Sequence, residues 1–139
     1  MPQTVEEIMT RDPRTVDSGD TLLDAARAMR DGDIGNVIVM DGGQASGILT
    51  DRDIVIRAVA EARDPESTSV GDVASSGLET LTPEQSVDDA VKLMRDKDIR
   101  RLPVCKHGRP VGILSLGDLA IEREPQSALA DISSAAPDQ

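Results

Sequence analysis

The apolar residues of this chain recur with helical and strand periods. They stand at 22, 25, 26 and 29, the i, i+3, i+4, i+7 spacing typical of one helix face. Two short apolar runs follow at 37–40 and 46–49, and Asp41-Gly42-Gly43 between them predicts a hairpin because Gly readily adopts positive φ. A short helical turn at 5–9 and a strand ending near Val16 precede this helix, and a last helix is predicted from Thr50.

The same pattern occurs a second time. A shift of 65 residues aligns positions 5–56 with 70–121 without a gap, and 16 of the 52 pairs are identical. The predicted elements recur with it: a turn at 70–74, a strand ending near Leu81, a helix with apolar positions 87, 90, 91 and 94, strands at 102–105 and 110–114, and a helix from Ser115. We therefore predict a tandem duplication. The fold class is α+β (α/β by some schemes), with two β-α-β-β-α repeats related by a pseudo-twofold axis.

The repeats define the predicted domain organisation. Repeat 1 spans residues 4–60, a polar linker with a proline spans 61–69, and repeat 2 spans 70–123. The tail at 124–139 is low in hydrophobicity, so we expect it to be flexible. A repeat of about 50 residues is near the lower size limit for unaided folding, so neither repeat is expected to bury its apolar face alone.

Composition removes several classes of partner. The chain has no Phe, Tyr or Trp, so its core must be built largely from 33 Val, Ile and Leu residues, and it offers no aromatic platform for nucleic-acid bases. The net charge of −11 repels nucleic acid and anionic membranes. We expect neither as a partner.

Other sequence features exclude disulfides, metal sites and export. One cysteine and one histidine exclude an internal disulfide and a closed zinc site. Cys105 is interpreted as a strand residue and His107 as a hairpin-turn residue. No apolar stretch is long enough to span a bilayer, and the N-terminus does not resemble a signal peptide. We expect a cytoplasmic protein.

Two short motifs carry the candidate chemistry. Thr50-x-x-Asp53 and Ser115-x-x-Asp118 stand where a strand is predicted to pass into a helix. A hydroxyl and the free N–H groups of a helix start can hold a phosphate, and a nearby carboxylate can accept hydrogen bonds from a ribose diol. The same spacing is also that of a helix capping box, and it recurs at 21, 50, 86 and 115. Capping alone therefore stays an open alternative.

Basic residues are concentrated in the second repeat. Residues 92–109 hold seven Lys and Arg against two Asp, a local net charge of +5, so the rest of the chain carries −16. Within this stretch, Arg100 and Arg101 suit phosphate because the guanidinium bonds bidentately and stays charged. A solvated helix face with surface salt bridges is the alternative. Repeat 1 has Gly35 and Asn36 at the matching positions, which predicts one charged pocket and one weaker or empty pocket.

Together these residues carry a resemblance to a known family. The segments GILTDRD at 47–53, GILSLGD at 112–118 and DIRRLPV at 98–104 resemble the motifs of tandem CBS domains, the Bateman module. The resemblance covers residues 4–123. The segment TDRDIVI at 50–56 is similar to small stand-alone CBS pairs of the hypoxic-response-protein type.

The resemblance implies a cleft between the repeats that binds an adenosine-containing ligand. The expected ligands are AMP, ADP or ATP, with S-adenosylmethionine or NAD as second choices, and the expected assembly is a homodimer through the helices at 51–60 and 116–123. The aliphatic side chains of Val16, Ile34, Leu81 and Ile99 would enclose the adenine. The alternative for all four is a role in the hydrophobic core. The candidate ligand-binding residues are Thr50, Asp53, Arg100, Arg101, Ser115, Asp118, Val16, Ile34, Leu81 and Ile99.

Two functions follow from this sequence. The first is a regulatory module that senses an adenine nucleotide and acts on an unidentified partner protein. The alternative is a module without ligand that serves as a dimeric interaction or stress-associated scaffold. No nucleophile–base pattern is present, so we expect no enzymatic activity.

Overall fold

The structure, a computed structural model, describes residues 3–75 and 77–123, with the backbone alone at 121–123. The predicted tail at 124–139 lies outside the described residues. The elements in chain order are α1 (Val5–Ile8), β1 (Thr10–Arg11), β2 (Thr15–Asp17), α2 (Leu22–Gly32), β3 (Asn36–Asp41), β4 (Gln44–Thr50), α3 (Asp51–Ile54), the π-helical turn π1 (Val55–Val59), α4 (Val70–Val73), α5 (Val87–Lys97), β5 (Arg101–Lys106), β6 (Arg109–Ser115) and α6 (Leu116–Arg123).

These elements form two compact units that differ from the sequence repeats. Among the described residues, the central unit is formed by 14–75, 77 and 78, and the split unit combines 3–13 with 79–123. The leading segment of each repeat therefore packs in the unit that holds the body of the other repeat. We call these leading segments, residues 5–11 and 70–75, the crossing segments.

The central unit contains a three-stranded sheet in the order β2-β3-β4. Strand β2 runs parallel to β3, and β3 and β4 form the predicted antiparallel hairpin. Helix α2 buries its apolar positions in a core with these strands. The 61–69 linker also contributes, because the carbonyls of Thr68 and Pro65 accept hydrogen bonds from the N–H groups of Leu22 and Leu23, each at 3.0 Å. These bonds satisfy N–H groups that a helix start otherwise leaves unpaired.

The split unit repeats this plan in the order β1-β6-β5. Strands β5 and β6 form the second hairpin, and α5 buries Val87, Ala90 and Met94 against it. The strand predicted near Leu81 is reduced to one parallel bridge between Leu81 and Val104. The two β-α-β-β-α repeats are thus present in a mixed α+β fold.

The crossing segments are held in the same register in both units. Thr10 of β1 pairs antiparallel with Ile113 of β6, and Ser75 pairs antiparallel with Ile48 of β4. The two pairings are related by the 65-residue offset. A β-carbon on Gly47 would overlap the Ser75 carbonyl oxygen, and one on Gly112 would lie 2.9 Å from the Thr10 carbonyl oxygen. This close backbone approach explains why both repeats have glycine at this position.

The last helix of repeat 1 is present but is not α-helical throughout. Helix α3 ends at Ile54, and π1 follows with a wider hydrogen bond from the Ala60 N–H to the Val55 carbonyl, 2.9 Å. The sequence here is rich in β-branched residues, which are crowded in an α-helix. Val55, Ile56 and Val59 of π1 are exposed.

Candidate functional site

Both candidate motifs form reciprocal capping boxes at strand–helix junctions. The Asp53 N–H donates to the Thr50 hydroxyl and the Thr50 N–H donates to the Asp53 carboxylate, each at 3.0 Å. Ser115 and Asp118 exchange the same bonds at 3.1 and 3.0 Å. The capping role that the sequence left open is therefore filled twice. Each hydroxyl still has its proton to donate, and each carboxylate keeps unused lone pairs.

The first N–H groups of the two helices differ in how they are paired. In both repeats the first one donates to the residue that stands just before the hairpin: Asp51 to the Gly35 carbonyl, 3.0 Å, and Leu116 to the Arg100 carbonyl, 2.9 Å. The next N–H, of Arg52, donates to the Asp51 carboxylate at 2.8 Å. The matching N–H of Gly117 has no hydrogen-bond partner among the described residues. Of the two junctions, within the described part of the chain, the second one presents an open N–H at this position.

The basic residues predicted for the site lie at the second junction. Arg101 begins β5 and lies directly opposite Ser115 of β6, so the two side chains share a face of the sheet. Arg100 is exposed. At the first junction the residue opposite Thr50 is Asn36. We call Arg100, Arg101, Ser115, Gly117 and Asp118 the split-unit junction; their counterparts Gly35, Asn36, Thr50, Arg52 and Asp53 form the central-unit junction.

The two carboxylates have different surroundings. Burial raises the pKa of Asp118, while hydrogen bonds from Ser115 and from the Thr10 hydroxyl act in the opposite direction. Asp53 is also largely buried, with 16% of its side chain exposed, but it faces a cation: the Arg57 Nε lies 3.9 Å from its carboxylate. The Arg57 Nη1 also donates to the Val73 carbonyl at 3.1 Å.

The four aliphatic candidates divide into two pairs. Leu81 is 1% exposed and Val16 is 8% exposed, and both belong to the apolar cores. Their burial favours the core role that the sequence left open. Ile34 and Ile99 are half-buried and immediately precede Gly35 and Arg100 of the junctions. Of the four, these two are the side chains placed next to the candidate site.

Sequence reasoning missed Thr10 and Arg57. Thr10 is remote from Asp118 along the chain, and β1 pairing with β6 brings the two together. One signal was available, because Thr10 and Ser75 are both hydroxyl residues at the 65-residue offset. Arg57 had no such signal, since the second repeat has Glu122 at the matching position.

The other residues singled out in the sequence have local roles. Cys105 is buried in β5, where burial raises the pKa of its thiol, and His107 adopts a φ of 55° in the β5–β6 turn. Over residues 3–75 and 77–123, no cluster of three or more His, Cys, Asp or Glu side chains is arranged to hold a metal ion. Within the same residues, no helix is long and apolar enough to cross a bilayer.

Comparisons with known proteins agree with this architecture. The sequence profile of the CBS domain matches residues 5–59 and 70–123. The CBS domain-containing protein YhcV of Bacillus subtilis is 39% identical over 134 residues, which cover 94% of this chain and 95% of YhcV. Hypoxic response protein 1 of Mycobacterium tuberculosis is 35% identical over 118 residues, covering 84% of this chain and 82% of that protein. Neither relative is named as an enzyme.

A solved structure shows the same fold. The CBS domain pair of protein MJ0100, crystallised with 5′-methylthioadenosine and S-adenosyl-L-methionine, superposes with a TM-score of 0.80 and 22% identity. The alignment covers 91% of this chain and 100% of that one. With both repeats matched by the family profile and close relatives matched over most of their length, the chain belongs to the CBS domain family, as a small tandem pair related to hypoxic response protein 1.

Proposed function

We propose that this CBS pair is a regulatory module that binds an adenine nucleotide at the split-unit junction. The observation that carries the proposal is the N–H of Gly117, which has no hydrogen-bond partner among residues 3–75 and 77–123 and lies two residues after Ser115, itself paired with Arg101. Backbone N–H groups at a helix start together with guanidinium groups are a common means of holding phosphate. The free lone pairs of Asp118 suit the hydroxyls of a ribose.

The central-unit junction is the weaker of the two in this proposal. There the Arg52 N–H, which a phosphate would use, already donates to the Asp51 carboxylate at 2.8 Å. Gly35 and Asn36 stand where the other junction has two arginines. A phosphate approaching this junction would therefore meet the negative charge of Asp51, which already holds the Arg52 N–H. We propose that it stays empty or binds an adenosyl compound without phosphate.

The ligand class is supported by a structural neighbour. The CBS pair of MJ0100 was crystallised with two adenosyl compounds, although at 22% identity it shares the fold alone. AMP, ADP and ATP are our first candidates because of the arginines, with S-adenosylmethionine and NAD after them. To signal, the ligand must bind two conformations with unequal affinity, and the regulated partner would recognise one of them. The cytoplasmic location expected from the sequence stays a prediction.

Thermal unfolding with added nucleotide tests the proposal. A ligand that binds only the native state, at about 100 times its Kd, adds about 2.7 kcal/mol of stability, which raises Tm by several degrees. We expect AMP, ADP or ATP to do so, and Asp118→Ala or Arg101→Ala to remove the effect. Asp53→Ala, the matched change in the other repeat, should keep it. Unchanged melting curves with millimolar AMP, ADP, ATP, S-adenosylmethionine and NAD would overturn the proposal.

We also propose that the chain forms a homodimer through its motif-bearing helices. Val55, Ile56 and Val59 of π1 are 56%, 45% and 65% exposed, and Leu116 of α6 is 48% exposed. Light scattering should return about twice the chain mass of 14.8 kDa, and Val59→Asp should shift it toward the monomer. Gln44→Asp, an exposed change on β4, should leave the dimer intact. A parent protein that stays at 14.8 kDa when concentrated contradicts this assembly.

The same exposed apolar residues favour a second candidate function. A dimeric scaffold without ligand would need this surface and would not need the junction arginines. Dimerisation without any nucleotide effect on Tm would support that alternative.

A further inference from the structure

The turn between β5 and β6 differs in charge from the matching turn of the central unit. Its sequence is Lys106-His107-Gly108-Arg109, and the turn between β3 and β4 is Asp41-Gly42-Gly43-Gln44. Both turns have the same backbone form, because φ is positive at the two middle residues: 61° and 83° in the central unit, 55° and 78° in the split unit. The backbone form therefore does not require basic residues. We call Lys106, His107 and Arg109 the basic turn.

The residues of the basic turn oppose folding in two ways. Lys106 and Arg109 lie directly opposite each other across the two strands, and like charges in such a pair are destabilising. His107 adopts a φ of 55°, a left-handed conformation that costs free energy for a residue with a β-carbon, where the central unit has glycine. In the central unit Asp41 lies opposite Gln44, so neither cost arises there. Stability of the fold thus gives no reason for the basic residues.

The charge of the basic turn is not compensated within the described part of the chain. None of its three side chains forms an ion pair there, and all three are exposed. Two other cations of the 92–109 stretch do have partners: the Arg95 Nε lies 3.9 Å from the Asp96 carboxylate, and the Lys97 Nζ lies 3.9 Å from that of Glu79. The cations of the turn are therefore open to a separate molecule.

The basic turn is also separate from the split-unit junction. Arg101 pairs with Ser115 at one end of the β5–β6 hairpin, and Lys106 pairs with Arg109 at the other end. Five residues of strand span about 16 Å, so one phosphate group cannot contact both ends. The phosphate site proposed at the junction thus does not explain the charge of the turn.

We propose that the basic turn is a docking site for a carboxylate-rich polypeptide segment of the protein that this module regulates. The link to a regulated partner rests on the proposed function. Carboxylates complement the two cationic side chains, which present their charges side by side. Pro110 restricts the backbone of Arg109 just before it, so little backbone order remains to be gained on binding.

The charge on the rest of the chain favours a short acidic segment over a larger polyanion. The net charge is −11 although residues 92–109 carry +5, so nucleic acid or an anionic membrane would be repelled beyond the turn. Exposed charges are screened over about 8 Å at physiological ionic strength, so a short segment at the turn interacts mainly with the cations beside it. An acidic polypeptide segment therefore fits both the turn and its surroundings.

Binding of a fluorescein-labelled decaglutamate peptide tests the docking site. The parent should raise the anisotropy of the peptide at about 50 mM NaCl, and less at about 300 mM, because salt screens exposed charges. The turn variant, Lys106→Asp with His107→Gly and Arg109→Gln, has the residues of the central unit and should bind about tenfold more weakly. Lys92→Asp with Arg95→Gln makes the same change in net charge on α5 and should keep most of the affinity. A parent that does not bind, or equal losses in the two variants, would overturn the proposal.

NMR and competition identify where the peptide binds. Amide signals should shift at 106–109 and not at 115–118, and excess AMP should not displace the peptide. Displacement by AMP would show that the peptide occupies the split-unit junction, which would overturn the docking site. Tighter binding of oligothymidylate or of phosphatidylserine vesicles than of decaglutamate would overturn the choice of a polypeptide. A turn variant that differs in mass from the parent by light scattering would show that a second copy of the chain occupies the turn, with the same consequence.

Thermal unfolding separates this proposal from the nucleotide function. The turn variant should melt a few degrees above the parent, because glycine takes the positive φ and the like-charge pair is removed. A Tm at or below that of the parent would overturn the stability cost from which the docking site is inferred. AMP should raise Tm equally in both proteins. If the parent binds decaglutamate and AMP leaves its Tm unchanged, the docking site stands and the nucleotide function fails; the reverse result overturns the docking site alone.

Discussion

The two strand–helix junctions share a backbone plan and differ in the side chains placed on it. Both have reciprocal capping boxes, the same pairing of the first N–H, and a glycine where a crossing segment passes. Inside the capping box, however, one repeat has Asp51 and Arg52 and the other has Leu116 and Gly117. The duplication has therefore kept what the backbone requires, while charge and open donors have diverged. This comparison separates residues that hold the fold from residues that we propose set ligand preference.

The largest loss of stability is expected at the glycine that both repeats have beside a crossing segment, Gly47 and Gly112. Gly47→Ala places a methyl group on the Ser75 carbonyl and should cost about 3 kcal/mol of unfolding free energy, the upper end for overpacking. Gly112→Ala should cost about 1–2 kcal/mol, because part of its clash is with the flexible end of Met9. Urea unfolding followed by circular dichroism is suitable, since the chain has no Trp or Tyr for fluorescence.

The control for these substitutions is Gly19→Ala. No atom lies within 4 Å of a β-carbon at this position, so stability should change by less than about 0.5 kcal/mol. A Gly47→Ala protein as stable as Gly19→Ala would contradict the close approach of the crossing segment.

The next largest effect is expected on AMP affinity, at the position where the two junctions differ. Gly117→Asp introduces a carboxylate where an open N–H now stands, so AMP affinity measured by calorimetry should fall at least about tenfold through like-charge repulsion. Arg52→Asp introduces the same residue at the matching position of repeat 1 and should leave the affinity nearly unchanged. If Arg52→Asp were the more damaging change, the assignment of phosphate to the split-unit junction would be wrong.

A smaller change in stability, equal in the two repeats, is expected at the C-terminal ends of α2 and α5. Helices α2 and α5 are followed by the C-cap residues Asp33 and Asp98, which both adopt the left-handed backbone conformation with φ of 52°. Glycine adopts this conformation without a β-carbon penalty, so Asp33→Gly and Asp98→Gly should each add about 0.5–1 kcal/mol of stability. Asp33→Ala should lower stability. Unequal gains in the urea midpoints of the two Gly variants would show that the helix ends are less alike than their geometry indicates.

The smallest effect concerns pH and the buried carboxyl of the split unit. Burial raises the folded-state pKa of Asp118 above its ordinary value of 3.8, so the folded protein binds more protons in the window between the two values. The contribution of this group to stability is therefore fully present below 3.8 and is lost as the pH rises through the folded pKa. Asp118→Asn has no such titration.

Urea unfolding of both proteins across this range measures the difference. The stability of the parent relative to Asp118→Asn should decrease from acid to neutral pH. A relative stability that increases with pH would show that hydrogen bonds from Ser115 and Thr10 outweigh burial.

Much of the fold could be predicted from local sequence patterns. The amphipathic helices, the two hairpins and the offset of 65 are confirmed because each depends on residues close in sequence. The capping boxes were equally visible, since Thr50 and Asp53 are three residues apart. The helix expected at 51–60 is present as α3 and π1. Its π turn was not foreseen, because a π turn differs from an α-helix by one residue of hydrogen-bond register, which apolar spacing does not resolve.

Only part of the candidate site could be predicted from the sequence. Ser115, Asp118 and the arginines were identified from motif and charge, and the contrast with Gly35 and Asn36 from the repeat. Leu81 and Val16 could not be told apart from core residues, because burial depends on what packs around a side chain. Thr10 and Arg57 were missed because their roles arise from contacts with a segment that belongs to the other repeat.

The sequence by itself determined that this chain is a duplicated β-α-β-β-α unit with a basic stretch at 92–109 in its second copy, because periodicity, turn residues and charge can be read from residues close in sequence. Only the tertiary structure decided that each repeat contributes its first segment to the unit built on the other. It also decided that, among the described residues, the Arg52 N–H is hydrogen-bonded and the Gly117 N–H is open. Those features depend on non-local backbone pairing. A linear pattern shows which residues can pair but does not say which segment will lie beside them.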